Sequence, residues 1–219
     1  MMETSIRCLF LACWRLWPTV AYWAGALVSL IIIERLSTPP CRWDRLLLAS
    51  AQSVRSLWLD GFFMWITWTG SLYLLTPTAA VITAYLARVG RSGDAWLLAL
   101  GLAGASLLAH GSKALFARAR PDLFLPLVEL PADASYPSAH SAQIVAFLLP
   151  LYLTQLRAAP TTTLLLLLGV LLVWAAAVGF SRVYLQVHYP SDVVGGAALA
   201  LLWVGGLEHL LNVLGIRVR

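Results

Sequence analysis

Six long apolar stretches divide this chain of 219 residues and constrain its fold more than any other feature. They cover residues 16–33, 61–87, 95–112, 134–155, 158–181 and 193 to about 214. A transmembrane helix needs about 20 mostly apolar residues, which each of these stretches supplies or nearly supplies. Pro77 lies inside the second stretch, where neighbouring helices can tolerate a kink. The pattern predicts an all-α integral membrane bundle of six transmembrane helices.

The composition excludes both a soluble globule and a disordered chain. Hydrophobic residues make up 60% of the sequence and charged residues only 11%, against about 25% charged residues in a soluble domain. A chain this apolar buries itself rather than staying disordered. The net charge of +5 is spread along the sequence instead of forming a basic run. This distribution favours the bilayer as a partner and excludes nucleic acid, and it carries no signal of an oligomeric state.

We expect one domain in which residues 1–59 contain the first transmembrane helix and a connecting segment, and residues 60–219 contain helices two to six. The connecting segment has charged residues around three leucines, which indicates an amphipathic segment on the membrane surface. The apolar stretch near the N-terminus is long and has no small-residue cleavage site, so it predicts a span rather than a cleaved signal. Cys8, Cys13 and Cys41 have neither the even pairing of a disulfide framework nor metal-ligand spacing.

The polar residues near the interior span ends converge on one face of the membrane. In a chain with six spans, the ends of spans three and five and the starts of spans four and six share that face. The residues found there are Lys113, Arg118, Arg120, Ser138, His140, Arg182, His188 and Asp192. Ionisable groups at membrane depth are costly, so such a cluster indicates a functional site.

The absolute orientation does not follow from the charges. With the N-terminus inside, the cytoplasmic side holds Arg7, Arg15, Arg88, Arg91, Arg157, Arg217 and Arg219. The opposite side holds Arg35, Arg42, Arg45, Arg55, Lys113, Arg118, Arg120 and Arg182. Seven cations against eight give no bias by the positive-inside rule.

The chemistry of this cluster fits a phosphate group. Clustered Lys and Arg side chains need an anion, and the forked donors of Arg suit phosphate oxygens. Ser138 lies at the start of the fourth span, where a helix N-terminus offers free N–H groups to an anion. Asp192 follows Pro190 at the start of the sixth span and can reach back to His188, which leaves the second imidazole nitrogen free to attack phosphorus. His140 is then the candidate proton donor to the leaving oxygen.

Three motifs in this region resemble those of the type 2 phosphatidic acid phosphatase family, which includes glucose-6-phosphatase and the vanadium haloperoxidases. The motifs are Lys113-(six residues)-Arg120-Pro121, Pro137-Ser138-Ala139-His140, and Ser181-Arg182-(five residues)-His188-(three residues)-Asp192. With its flanking helices the resemblance covers roughly residues 60–213. Three motifs in order and at family spacing form a specific signal.

The resemblance implies a role for each motif residue. His188 is the nucleophile that forms a phosphohistidine, Asp192 activates it, and His140 protonates the leaving group. The phosphoryl oxygens are bound by Lys113, Arg120, Arg182, Ser138 and the backbone N–H of Ala139. The family requires no metal or other cofactor. Ala139 replaces the usual glycine, which adds about 1–2 kcal/mol of strain if the backbone there has a positive φ.

Other polar residues have simpler interpretations. Arg118 either reaches for lipid headgroups or supports the site, and His110 is expected to pack within the bundle. Asp60, Asp122, Glu129 and Asp133 are predicted to be solvated loop acids, and Tyr184 and Tyr189 interface aromatics.

The resemblance implies a membrane lipid phosphatase in a bacterial plasma membrane, with its site on the periplasmic or exterior face. Candidate substrates are undecaprenyl diphosphate, phosphatidylglycerol phosphate and phosphatidate. Two alternatives stay open: a phosphatase of small soluble phosphate esters, and a transporter or non-catalytic scaffold. A transporter more often shows internal repeats or helices broken at mid-membrane, whereas this polar set lies at span ends.

Overall fold

The computed structural model describes residues 2–154 and 159–218, with side chains from residue 14 onward. All regular secondary structure in these ranges is α-helical, as predicted. The helices are α1 (Met2–Ser37), α2 (Arg42–Ser53), α3 (Leu57–Trp68), α4 (Leu72–Arg88), α5 (Ser92–Phe116), α6 (Ala139–Leu153), α7 (Thr161–Tyr184) and α8 (Pro190–Val213). The predictions for the side chains of Arg7, Cys8 and Cys13, and for residues Arg157 and Arg219, lie outside the described residues.

Four of the described helices are long and apolar enough to cross a membrane. They are α5, α7, α8 and the part of α1 from Trp14 to Ser37. The pair α3 and α4 passes the same test when the two helices are taken together, although they are bent by 44°. Length and composition of the described helices therefore support four spans, or five with the bent pair. The predicted count of six is not confirmed.

The second predicted span breaks at residues 69–71 rather than at Pro77, which lies inside α4. Thr69 and Ser71 turn their hydroxyls back to the carbonyl oxygens of Ile66 and Trp68, at 2.7 and 2.8 Å. The backbone N–H groups of Thr69 and Ser71 donate to the same two carbonyl oxygens, so the hydroxyl bonds reinforce a hydrogen-bonded turn at the break.

The fourth predicted span is shorter than the apolar stretch that suggested it. Residues 134–138 form a loop, and α6 begins only at Ala139. Its 15 residues make a helix of about 22 Å, against about 30 Å for the hydrocarbon core of a bilayer. The absence of charge in residues 134–138 reflects burial inside the protein, because Ser135, Tyr136 and Ser138 are all fully buried.

Helix α8 is central to the bundle and packs against α1, α5 and α6. Alanine and leucine side chains from these four helices form one core, which includes Ala105, Ala142 and Leu199. A second core joins α4, α5, α6 and α7 around Leu98 and Ile144. The outer surface of the bundle carries exposed aromatic and aliphatic side chains, such as Leu107 and Val173, as expected of helices facing lipid.

The predicted amphipathic segment is helix α2, which packs against the site-side ends of α7 and α8. Leu48 and Ala51 lie on its buried face, and Trp43 and Leu46 are exposed. Asp44, one of the charged residues of this segment, is buried as well. This carboxylate lies at the functional site.

Candidate active site

His188 lies in the short connection between α7 and α8, and Asp192 lies in the first turn of α8. Pro190 begins α8, and the Asp192 carboxylate accepts a hydrogen bond from the Tyr189 N–H at 2.8 Å. This cap turns the carboxylate back toward the connection, where Asp192 Oδ2 lies 3.3 Å from His188 Nδ1. The predicted contact between these two residues is therefore present.

Asp192 is held by more partners than the sequence suggested. Its Oδ1 accepts a hydrogen bond from Arg118 Nη1 at 2.6 Å, and its Oδ2 accepts one from the Ser135 hydroxyl. The Ser135 oxygen is also 3.4 Å from His188 Nδ1. Arg118 does not reach for lipid headgroups, because its side chain is buried beside Asp192. Ser135 was not predicted, although it lies only two residues before the second motif.

Arg120 brings a positive charge to the other nitrogen of the imidazole. Its Nη1 lies 3.4 Å from His188 Nε2 and donates to the Val187 carbonyl oxygen at 2.7 Å. The ring is thus anchored at Nδ1, while Nε2 faces a guanidinium. A nucleophilic nitrogen next to a cation is suited to attack a group that carries negative oxygens.

The Asp133 carboxylate lies between Lys113 and Arg120. Lys113 Nζ is 2.8 Å from Asp133 Oδ2, and Arg120 Nη2 is 2.5 Å from Asp133 Oδ1. Asp133 lies in a loop with its side chain 40% exposed, as predicted, but its pairing with both cations was not predicted. A carboxylate that bridges two cations in this way occupies positions that two oxygens of a phosphoryl group would take.

Arg182 reaches the site from the last turn of α7, where its side chain is buried. Its Nη1 donates to the Thr67 hydroxyl at 2.7 Å, which ties it to α3. Its Nε has no hydrogen-bond partner among the described residues. A buried guanidinium with an unused donor is suited to bind an anion.

The second motif forms the N-terminus of α6. Ser138 is the N-cap residue and is fully buried, and its N–H donates to the Asp192 carbonyl oxygen at 3.0 Å. This bond joins the second motif to the third. Gly196 of α8 packs directly against the Ser138 carbonyl oxygen, where any Cβ would collide.

Ala139 is the first residue of α6 and does not have a positive φ. Replacing glycine by alanine therefore introduces no backbone strain here. His140 follows in the same turn, is partly exposed, and lies within electrostatic range of Arg182 and His188.

Burial and neighbouring charges shift the pKa values of His188 and Asp133, two site residues that lie outside the helices. Burial lowers the pKa of His188 to about 4, and Asp192 opposes this shift only in part. The imidazole is therefore neutral at physiological pH, as a nucleophile must be. Burial raises the pKa of Asp133, but its bonds to Lys113 and Arg120 outweigh burial, and the pKa lies below the usual value.

Several other interpretations change with the structure. Asp60 is not a solvated loop acid, because it accepts hydrogen bonds from Arg55 and from the Tyr184 hydroxyl. Tyr184 and Tyr189 are buried rather than placed at an interface, and Tyr189 lies under the Arg118 guanidinium at 4.4 Å. His110 contacts the Ser106 carbonyl oxygen one turn back and is otherwise exposed.

Asp192 and Arg120 thus contact the His188 ring directly, and Lys113 is joined to Arg120 through Asp133. Arg182 and His140 lie within electrostatic range of the ring, and Ser138 is bonded to the Asp192 backbone. Within the described ranges, no group of three or more His, Cys, Asp or Glu side chains is arranged to hold a metal ion. A family model described as the PAP2 superfamily matches residues 94–213, which include all eight predicted site residues. The chain belongs to the PAP2 superfamily.

Two PAP2 relatives are similar in sequence. Phosphatidylglycerophosphatase B of Bacillus subtilis is 33% identical over 165 residues, which cover 73% of this chain and 78% of that protein. An undecaprenyl-diphosphatase of Sulfolobus acidocaldarius is 29% identical over 154 residues, covering 68% and 69% of the two chains.

Two solved PAP2 structures share the fold. A transmembrane PAP2-type phosphatidylglycerolphosphate phosphatase from Bacillus subtilis superposes with a TM-score of 0.74 at 26% identity, covering 90% of this chain and 96% of that one. LpxE of Aquifex aeolicus gives a TM-score of 0.58 at 25% identity, covering 75% and 92%. The helical membrane fold and the bacterial relatives together identify a multi-pass membrane protein.

Proposed function

We propose that this PAP2 protein is a lipid phosphatase that works through a phosphohistidine at His188. Family membership makes the chain a hydrolase that acts on phosphate esters. The mechanism rests on one observation, which is that the two nitrogens of the His188 imidazole face groups of opposite charge. Asp192 lies 3.3 Å from Nδ1 and Arg120 lies 3.4 Å from Nε2, so the nitrogen opposite the carboxylate faces the cations.

The reaction proceeds in two displacements. Nε2 of His188 attacks phosphorus, a P–N bond forms, and the P–O bond to the leaving group breaks while His140 donates a proton to that oxygen. Asp192 stabilises the positive charge that develops on the ring. Water then attacks phosphorus with His140 as the base, the P–N bond breaks, and inorganic phosphate leaves.

The phosphoryl oxygens are bound by side chains rather than by a metal. Lys113, Arg120 and Arg182 supply positive charge, and Ser138 with the N–H of Ala139 supplies donors at the α6 N-terminus. Because Lys113 and Arg120 already bind Asp133, the substrate must displace this carboxylate. No cofactor takes part in either step.

The surface of the bundle supports a lipid substrate. An apolar groove of about 790 Å³ runs between α4 and α5. One end of this groove includes His110, one helical turn from Lys113. A hydrocarbon chain in the groove would leave its headgroup near the cations. The relatives named above act on phosphatidylglycerol phosphate and undecaprenyl diphosphate, and we take these two and phosphatidate as the candidate substrates.

We further propose six crossings of the membrane, in which α3 with α4 forms one crossing and the short α6 another. Following the family resemblance, we place the site on the exterior face of a bacterial plasma membrane. Residues 1–59 and the phosphatase core at 60–219 form one domain, in which α1 packs along α8.

The test is phosphate release in detergent micelles with EDTA present, from phosphatidylglycerol phosphate, undecaprenyl diphosphate and phosphatidate. Release by the wild type but not by His188→Ala supports the proposal, and the preferred lipid names the substrate. If neither folded protein releases phosphate from any of these lipids, the proposal of a lipid phosphatase is rejected. Small soluble phosphate esters are tested in the same assay. Release only from these esters would favour a phosphatase of small soluble substrates. No release from any ester would favour a transporter or a non-catalytic scaffold.

A further inference from the structure

Arg118 connects the Asp192 carboxylate to a second buried carboxylate. Its Nη1 donates to Asp192 Oδ1 at 2.6 Å, and its Nη2 donates to Asp44 Oδ2 at 2.9 Å and to the Ser37 carbonyl oxygen at 2.6 Å. The Arg118 side chain is 3% exposed, Asp44 1%, and Asp192 not at all. Charges buried to this degree persist only when they are paired and hydrogen-bonded, as these three are.

Asp44 also holds the start of α8. Its Oδ1 accepts from the Ser191 N–H at 2.9 Å, and its Oδ2 accepts from the Ser191 hydroxyl at 2.7 Å. Ser191 immediately precedes Asp192. The carboxylate of Asp44 therefore fixes both the residue next to Asp192 and the guanidinium that binds Asp192.

A separate contact joins α2 to the connection that carries His188. Gln186 has a left-handed backbone with φ of 62°, and its amide donates to the Leu48 carbonyl oxygen at 3.0 Å. A non-glycine residue in this conformation is held there by its surroundings. Helix α2 thus contacts both sides of the His188–Asp192 pair, although it lies outside the region matched by the family model.

We propose that Asp44 and Arg118 are positioning residues for the His188–Asp192 pair, which makes α2 a working part of the active site. This inference rests on the proposed role of His188 as the nucleophile. Asp44 occupies one branch of the Arg118 fork, so that Arg118 binds only Oδ1 of Asp192. Oδ2 is then left to orient the imidazole. Without Asp44, the fork is free to bind both oxygens of Asp192, which is its preferred geometry with a carboxylate.

The inference predicts a specific defect in Asp44→Asn. The amide keeps an acceptor for Ser191 but loses the charge that holds Arg118. We expect kcat to fall by at least about tenfold with KM nearly unchanged, because a small displacement of a reacting group is costly while the phosphate-binding side chains stay in place. Arg118→Lys should also lower kcat, since one ammonium cannot span both carboxylates.

The pH profile separates positioning from mere structural support. Asp192, Ser135, Arg120, Arg182 and His140 all act on the His188 ring. In Asp44→Asn, Arg118 binds Asp192 more strongly. Asp192 then stabilises the protonated form of the His188 imidazole less. The acid limb of the kcat/KM profile should therefore move to lower pH.

The experiment measures kcat, KM, their pH profiles and the midpoint of thermal unfolding for wild type, Asp44→Asn, Arg118→Lys and His188→Ala, with the lipid that the wild type hydrolyses fastest. The matched control is Asp60→Asn, which removes a carboxylate that ties α3 to Tyr184 of α7 and to Arg55. The control should keep the kcat and the pH profile of the wild type. Normalising kcat to folded protein separates stability from catalysis.

A lower kcat in both variants and an acid limb moved to lower pH in Asp44→Asn, with neither change in the control, support the inference. Variants that lose only thermal stability, with kcat per folded molecule within about twofold of wild type, overturn it while His188→Ala still confirms the nucleophile. An active His188→Ala would overturn the proposed mechanism and this inference together.

Discussion

Oδ2 of Asp192 lies 3.3 Å from Nδ1 of His188, and the other nitrogen of the same ring lies beside a guanidinium. A single imidazole therefore joins a buried carboxylate to a cluster of cations. The carboxylate fixes the ring and its tautomer, and the cations bind the group that the free nitrogen attacks.

The bridge formed by Asp133 predicts an effect on anion affinity. Asp133→Asn should bind inorganic phosphate more tightly, because it frees Lys113 and Arg120 from a competing carboxylate. Asp133 is 40% exposed, so the gain is limited to about 1 kcal/mol, or about a fivefold decrease in the inhibition constant of phosphate. Competitive inhibition of lipid hydrolysis by phosphate measures this constant.

The control for that experiment is Asp122→Asn, an exposed acid in the same connection, which should leave the inhibition constant unchanged. Weaker inhibition in Asp133→Asn would mean that Asp133 holds the two cations in place rather than competing with phosphate.

The close packing of α8 on α6 predicts that Gly196→Ala is damaging. The new Cβ would collide with the Ser138 carbonyl oxygen, a backbone atom that cannot rotate away. We expect a loss of about 1–3 kcal/mol in stability and a loss of activity, because α6 and its N-terminal anion site are displaced. The matched control is Gly169→Ala on α7, where the Cβ meets open space. Thermal unfolding and phosphate release measure both effects, and equal behaviour of the two variants would contradict the packing described here.

The lowered pKa of His188 predicts how stability depends on pH. The pKa is about 4 in the folded protein and about 6.5 in the unfolded chain. Between these values the unfolded chain binds a proton that the folded protein does not, so stability falls as the pH drops from about 6.5 toward 4. The stabilisation is fully present above pH 6.5 and amounts to at most about 3 kcal/mol.

Thermal unfolding in detergent at pH 7 and pH 5 tests this dependence, with His188→Gln as the comparison. The wild type should lose more stability on acidification than the variant. Parallel losses in the two proteins would show that His188 does not titrate between the two states.

The sequence alone was sufficient to predict the contact between His188 and Asp192, because both residues lie in one short segment. His188 and Asp192 are four residues apart across Pro190, so their contact follows from the start of a helix. The convergence of the three motifs followed in the same way from counting spans, because alternate helix ends must meet on one face.

The remaining parts of the site depend on contacts between distant segments. Asp44 and Arg118 are 74 residues apart, and hydropathy classed Asp44 with the polar face of a surface segment. The break at residues 69–71 was missed because Thr69 and Ser71 are too weakly polar to interrupt an apolar stretch. The sequence did contain one signal that Asp133 belongs to the site, because this acid lies only five residues before Ser138 of the second motif.

The most direct test of the mechanism is to trap the covalent intermediate. The purified protein is mixed with a lipid phosphate carrying radiolabelled phosphate, quenched in base within one turnover, and analysed for label on the protein. The account predicts label on the wild type that survives base and is released by acid, as expected of a phosphorus–nitrogen bond, and no label on His188→Ala. Label that persists on His188→Ala, or rapid hydrolysis by that variant, would contradict it.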